Sequence, residues 1–256
     1  MNLLSSIPAI YEFIRGRNSS QRLILFIISL SALAISSPPA LHTWIYDSNA
    51  LLPIPLNATL IPIPAPKHTD LDLDGSPEYI RLRDGNLGIY EDPAAAEPLW
   101  VSPAEWQVWQ AEISDFNRDG IPEVTLLVWR PHVSWPIDTY IPNPGRIQDF
   151  HDRRGQSCHL ILIGWKRGAY RELWAGSALA EPLRSFAAAD VDADGFQDLI
   201  TLETRYDDPA FLPARALALW EWNGFGFTLL ARQQGSFHMM MLVKSLAEEN
   251  IILIQQ

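Results

Sequence analysis

The chain has 256 residues, 48% of them apolar, with 19 Lys and Arg against 30 Asp and Glu and a single cysteine. A formal net charge of −11 argues against a nucleic-acid partner, whose phosphates demand a basic surface. With Cys158 alone no internal disulfide can form, so Cys158 reads as a small buried residue and metal would have to do any stapling in an oxidising compartment.

Residues 1–22 form a basic leader, with Arg15, Arg17 and Arg22 against Glu12. Residues 23–45 open on an apolar run, and the first acid after it is Asp47. Positive charge before the run and none after it points the N-terminus to the cytoplasm and exports the rest of the chain. The predicted location is therefore a membrane anchor with the C-terminal domain extracytoplasmic, or secretion after signal cleavage. Leu23 to Ile35 has the length of a signal peptide, and Ala32-Leu33-Ala34 would suit a peptidase. Extended to Leu41, the run becomes a transmembrane helix of 19 residues with Trp44 and Tyr46 at the interface. The 22-residue leader is long for a signal peptide, which favours the retained anchor. Residues 46–66 are proline-rich and read as a semi-rigid linker, leaving 67–256 as the folded domain.

That domain carries one pattern three times: "DLDLDGSPEY" from Asp70, "DFNRDGIPEV" from Asp115 and "DVDADGFQDL" from Asp190. Each has Asp at position 1, Asp or Asn at 3, Asp at 5, Gly at 6 and an acid at 9. From average residue usage, one match has a chance of roughly 1 in 100,000 per position, so these are repeats. A hard cation such as Ca²⁺ takes six to eight oxygen ligands, and alternate residues of a tight loop can turn carboxylates toward one centre. Glycine at position 6 permits the sharp turn. The predicted ligands are Asp70, Asp72, Asp74, Glu78 and the carbonyl of Ser76; Asp115, Asn117, Asp119, Glu123 and the carbonyl of Ile121; and Asp190, Asp192, Asp194, Asp198 and the carbonyl of Phe196. Up to three Ca²⁺ are implied, the second loop binding most weakly because it has one charge fewer.

An EF-hand would place Glu at position 12, where this chain has Arg81, Leu126 and Thr201. The segments immediately after the loops ("EYIRLRD", "EVTLLVW", "DLITLETRY") are rich in β-branched, aromatic and alternating residues and predict strands. An Asp-rich loop between strands, with its last ligand at position 9, resembles the FG-GAP or VCBS repeat of integrin-α-like calcium-binding β-propellers. The resemblance covers residues 60 to 256 and implies an all-β fold, a small or partial propeller of three to four blades. Glu78 and Glu123 stand where that family more often has Asp.

The spacing agrees with blades. Asp70 to Asp115 is 45 residues, one four-stranded blade; Asp115 to Asp190 is 75, and residues 131–157 read as an inserted loop that accounts for the excess. "LILIGWKRGAYRELW" and "LALWEWNGFGFTLL" each predict a hairpin, Trp165 and Trp222 being followed five residues later by Tyr170 and Phe227; "LGIYEDPAAAEPLWV" is a weaker version. The small side chains of "SFAAAD" suit a strand near a crowded axis, and "SFHMMMLVKSLAEENIILIQQ" reads as a fourth loop unit without metal ligands, placed to close the ring.

No Gly-x-Ser-x-Gly elbow, HExxH, phosphate-binding glycine loop or paired-Cys zinc pattern is present. His132, His151 and His159, with Asp138, Asp149 and Asp152, fall in or beside the insertion; a long loop on a rigid scaffold is where a catalytic or metal role tends to sit, and solvated loop polar residues explain them equally well. Trp129, Trp165, Trp220 and Trp222 read as blade packing; Trp100, Trp106, Trp109 and Trp135 are the better surface candidates. The functional expectation is a non-catalytic extracytoplasmic module that binds a protein or glycan partner, as in adhesion. The alternatives are a lyase or hydrolase acting on polysaccharide, and an accessory subunit of a membrane complex.

Overall fold

The computed structural model describes residues 41–55, 60–133, 150–244 and 250–255, and every regular element in them is a strand. Leu41–Asp47 (β1), Ala50–Ile54 (β2) and Ile61–Pro62 (β3) come first and belong to a sheet that the C-terminal strands complete. His68–Thr69 (β4), Glu78–Arg83 (β5), Asn86–Tyr90 (β6) and Trp100–Val101 (β7) form the first complete blade. Gln107–Ser114 (β8), Glu123–Pro131 (β9), Gln156–Trp165 (β10) and Tyr170–Ala175 (β11) form the second. The third consists of Leu183–Ala189 (β12), Asp198–Glu203 (β13), Ala214–Trp222 (β14) and Phe227–Phe237 (β15). Met239–Lys244 (β16) and Asn250–Gln255 (β17) begin the last sheet, whose order is β2-β1-β17-β16-β3. The four sheets make a four-bladed β-propeller arrangement, the upper end of the predicted range.

Alternation along the strands explains how the blades stack. On β10, Ile161 and Ile163 face a cluster shared with Ile80, Leu87 and Ile89 of the first blade, while Leu160 and Leu162 face Phe186 and Leu199 of the third. On β13, Leu199 joins that same cluster and Ile200 and Leu202 point the other way, toward Trp44, Ile252 and Ile254 of the closing sheet. Both faces of a middle strand are thus buried, which is why β13 has no exposed residue. β12 lies against β8 and β16, and its Ala187, Ala188 and Ala189 let first strands approach one another.

The N-terminal boundary differs from the sequence reading. Residues 41–47, read as the end of the membrane segment and the start of the linker, are β1, paired with β17 from Leu41↔Gln255 to Trp44↔Ile252. Trp44 is buried edge-on against Phe237, 6.3 Å between ring centroids, rather than at a bilayer interface. The described residues of the proline-rich 46–66 stretch are built into the fold as well, since β2 and β3 are the two edge strands of the closing sheet. A proline cannot donate to a ladder, so Pro53 and Pro62 are tolerated because they sit on edges. The compact unit therefore begins at Leu41. Residues 1–40, which carry the anchor or signal reading, lie outside the described residues.

The predicted insertion falls between β9 and β10, with 134–149 outside the described residues. Each acidic repeat joins the first strand of a blade to the second. The β9–β10 and β13–β14 connections therefore emerge at the opposite end of the sheets.

Candidate metal centres

The three repeats fold alike. At position 6, Gly75, Gly120 and Gly195 have φ of 96°, 81° and 91°, a region L side chains avoid. A Cβ on any of them would meet nothing within 4 Å, so backbone conformation and not space selects glycine. Position 4 takes the left-handed conformation without glycine, at Leu73, Arg118 and Ala193 (φ 62°, 63° and 62°).

Carboxylates hold this shape through main-chain amides. Asp70, Asp115 and Asp190 at position 1 accept from the position-6 amides of Gly75, Gly120 and Gly195 at 2.9, 3.1 and 3.0 Å. The position-3 side chains of Asp72, Asn117 and Asp192 accept from the position-5 amides at 3.1, 2.9 and 3.1 Å. Ser76, Ile121 and Phe196, predicted to offer their carbonyls, donate their own amides to Asp74, Asp119 and Asp194 at 2.8, 2.9 and 2.8 Å.

In each loop three carboxylates bring one oxygen apiece within 4.8 Å of the others: Asp70, Asp72 and Glu78; Asp115, Asp119 and Glu123; Asp190, Asp192 and Asp194. Two ligands of one ion at 2.3–2.6 Å lie at most about 5 Å apart, so each group fits around a single divalent cation. Asp74 stays outside the first group and Asp198 outside the third, although the repeat pattern predicts both as ligands.

The position-9 acids carry the electrostatic tension. Glu78, Glu123 and Asp198 are 3%, 0% and 0% exposed, at the start of β5, β9 and β13. The Leu71 amide donates to Glu78 at 2.7 Å and the Val191 amide to Asp198 at 3.3 Å. In the second loop the Phe116 amide faces Glu123 from the equivalent position, yet neither carboxylate oxygen makes a well-formed hydrogen bond. Burial, then the charges of Asp115 and Asp119, pushes Glu123 up to about 8. Burial likewise raises Asp198 to about 7, with Asp192 and Asp194 adding and Arg118 opposing. Glu78 is raised by burial against the pull of the Leu71 amide. A buried carboxylate beside two others is relieved by a proton or by a cation.

In the third loop a protein cation stands close. Arg118, at position 4 of the second loop, reaches across to Asp194 (3.6 Å), Asp198 (3.7 Å) and Glu221 (3.1 Å), its guanidinium 4.9 Å from the Phe196 ring centroid. Gln197 of the third loop accepts from the Asp115 amide at 2.8 Å, so two contacts tie neighbouring loops. The sequence reading missed Arg118, Gln197 and Glu221; the one available signal was a cation at position 4 where the other loops have Leu73 and Ala193. Arg118→Gln is expected to tighten divalent-ion binding at the third loop roughly three- to tenfold, because a positive charge is withdrawn from two of its acids. Calorimetric titration checks this, and an unchanged affinity would show that the guanidinium does not compete.

No protein-family model matches the chain, and no curated protein matches its sequence.

The remaining candidate side chains divide between core and surface. His159 is buried; its Nδ1 donates to the Gly176 carbonyl (3.0 Å), which leaves Nε2 to accept from Ser157 Oγ (2.9 Å). Burial lowers it to about 4, against the Gly176 bond, so it is a neutral core residue. His132 and His151 stand 5.1 Å apart, and Asp152 caps the amides of Arg154 and Gln156. Asp138 and Asp149 lie outside the described residues. Cys158 is fully buried, its thiol pushed up to about 12 by burial. Trp129, Trp220 and Trp222 pack against the core between the second and third blades. Trp165 ends β10 edge-on against Tyr170, at 4.9 Å. Trp106 is 5% exposed and belongs to the core, contrary to its reading as a surface residue, because it seats under the first blade with Leu87 and Ile89. Trp100 is half-buried, Trp109 is 48% exposed, and Trp135 lies outside the described residues.

Proposed function

We propose that the chain is an extracytoplasmic, non-catalytic binding or adhesion module of the FG-GAP/VCBS kind, a propeller stapled by up to three Ca²⁺ that presents its surface to a protein or glycan. The observation that carries this reading is Glu123, a fully buried carboxylate without a well-formed hydrogen bond, set beside Asp115 and Asp119 in a loop whose shape recurs twice. Calcium fits better than a transition metal because every converging side chain offers oxygen and none offers imidazole or thiolate. A bound ion would join the end of one strand to the start of the next and offset the repulsion among the acids. Affinities of about 10⁻⁴ to 10⁻³ M suit an extracellular structural site. Attachment would use residues 23–40, since β1 takes the chain from Leu41 onward; 18 residues of helix span about 27 Å.

Thermal melting of the chelated protein during a calcium titration tests the reading. At a hundredfold excess over Kd each occupied site adds about 2.7 kcal/mol. Asp190→Ala with Asp194→Ala removes two of the three converging acids of the third loop and is expected to lose that loop's share of the gain. A melting temperature indifferent to calcium would reduce all three loops to acidic turns.

A further inference from the structure

We infer that the cleft between the second and third blades, at the end of the sheets away from the acidic loops, is a binding site for an acidic sugar unit, one presenting a ring face and a carboxylate or sulfate. This deepens the binding-module reading and rests on it for the class of activity.

The cavity measures about 400 Å³, within the 300–1,000 Å³ of ordinary small-ligand sites. Its wall is aromatic. Trp109, on β8, is 48% exposed and lies 5.4 Å from Trp129 at an interplanar angle of 32°; Trp129 in turn meets Tyr206 edge-on at 5.7 Å. Trp129 joins the core packing and the Tyr206 hydroxyl donates to the Leu179 carbonyl at 2.7 Å, so the wall is fixed before any ligand arrives. An indole supported from behind and open in front offers a flat apolar face of the sort that stacks on a sugar ring.

The rim supplies charge. The residues around the cavity include Arg153, Arg154 and Arg205, all exposed, in a protein whose net charge is −11. Each acid there has a partner. Asp208 takes Arg215 in a bidentate pair at 2.6 Å, Asp152 Oδ1 accepts two main-chain amides, and Asp207 faces Arg153 at 3.5 Å. Among the described residues, Arg154 and Arg205 have no ion pair. The lining therefore sets four guanidiniums, those of Arg153, Arg154, Arg184 and Arg205, against the carboxylates of Asp152, Asp207 and Asp208, whereas the opposite end carries three acidic groups. Exposed guanidiniums beside a rigid aromatic face match an anion carried on a ring, and Arg can hold a carboxylate or sulfate in bidentate fashion. The Arg153–Asp207 pair is exposed on both sides and is weak enough to open for a ligand.

The test uses the full chain in saturating calcium and follows tryptophan fluorescence and calorimetric heat with four probes: a uronic-acid oligosaccharide, a sulfated oligosaccharide, a neutral oligosaccharide of the same length, and an oligoglutamate. Binding of one or both acidic sugars, at least tenfold tighter than the neutral one and weakened by salt, is expected. Trp109→Ala, at an exposed site that leaves the core intact, should weaken it at least tenfold, and Arg154→Gln with Arg205→Gln by a similar factor. The uronate and sulfate arms decide which anion is preferred. Equal binding of oligoglutamate would overturn the sugar assignment in favour of an acidic peptide, and unchanged affinity in both variants would overturn the site. Repetition in chelator separates the claims: these side chains lie outside the loops, so a protein without any calcium response can still pass or fail here.

Discussion

Glu123→Gln is expected to melt higher than the parent protein in chelator at pH 8, and to gain less when calcium is added. Both signs come from one side chain. Glu123 is 0% exposed, and burial with the charges of Asp115 and Asp119 raises it from 4.5 to about 8. When the folded state holds a proton that the unfolded chain has released, stability falls as pH rises between the two values. The metal-free parent is therefore expected to lose stability from about pH 5 to pH 8, with Asp198, raised to about 7, adding to the slope. The loss is on the order of a few kcal/mol, which for a chain of this size corresponds to roughly 5–10 °C of melting temperature. Calcium is expected to reverse the slope, because an ion held there would bind the ionised carboxylate and compete with its proton. The carboxamide of Glu123→Gln has no proton to lose, so its profile in chelator should be flatter. Its neutral oxygen is also a poorer ligand, so about one site's share of the calcium gain should vanish. A parent profile flat from pH 5 to 8 in chelator, or an undiminished calcium gain in the variant, would remove Glu123 from the metal site.

The propeller was legible in the sequence where local chemistry and period coincide. The repeated Asp and Gly positions predict the turn because the φ of Gly75, Gly120 and Gly195 excludes most other residues. The middle strands β9, β10 and β13 are legible because each carries consecutive apolar residues buried on both faces, Leu126 to Val128, Leu160 to Ile163, and Leu199 with Ile200. The start of the domain was not legible. Residues 41–54 lack a loop motif, carry a proline, and acquire strand character only by pairing with a segment some 200 residues away, which no local pattern records. Trp106 misled for a similar reason: its neighbours Ala104 and Glu105 are exposed, while the ring packs with Leu87 and Ile89 of the first blade. In the loops the sequence named the acids but not their division. The Arg118 contact with Asp194 and Asp198 depends on how two blades stand side by side, and so does the aromatic cleft around Trp109.

The same long-range pairing makes the C-terminus the point where the fold should fail first. Ending the chain after Glu249 deletes β17, the strand between β16 and β1, and with it Ile252 and Ile254, both buried. β1 then keeps only its hairpin partner β2, no ladder joins that hairpin to the rest of the sheet, and Trp44 and Leu51 lose Ile252 and Ile254 from the cluster they share with Leu217, Leu219 and Phe237. Because β1 returns from the far end of the chain, this pairing is what makes the ring a ring; without it the third blade exposes the face carrying Ile200 and Leu202. The truncated protein is expected to lose its cooperative melting transition and to be cut by protease within residues 41–55. As such a variant can fail simply by aggregating, Ile254→Ala provides a graded version. It deletes part of a fully buried side chain and should cost about 2–5 kcal/mol, with calcium binding at the three loops retained in the folded fraction. The exposed Met239, first residue of the neighbouring strand β16, is the control, and Met239→Ala should change stability by no more than about 0.5 kcal/mol. If the truncated chain melted as cooperatively as the whole one, the closing sheet would be an appendage, and the blades would have to be stable as an open array.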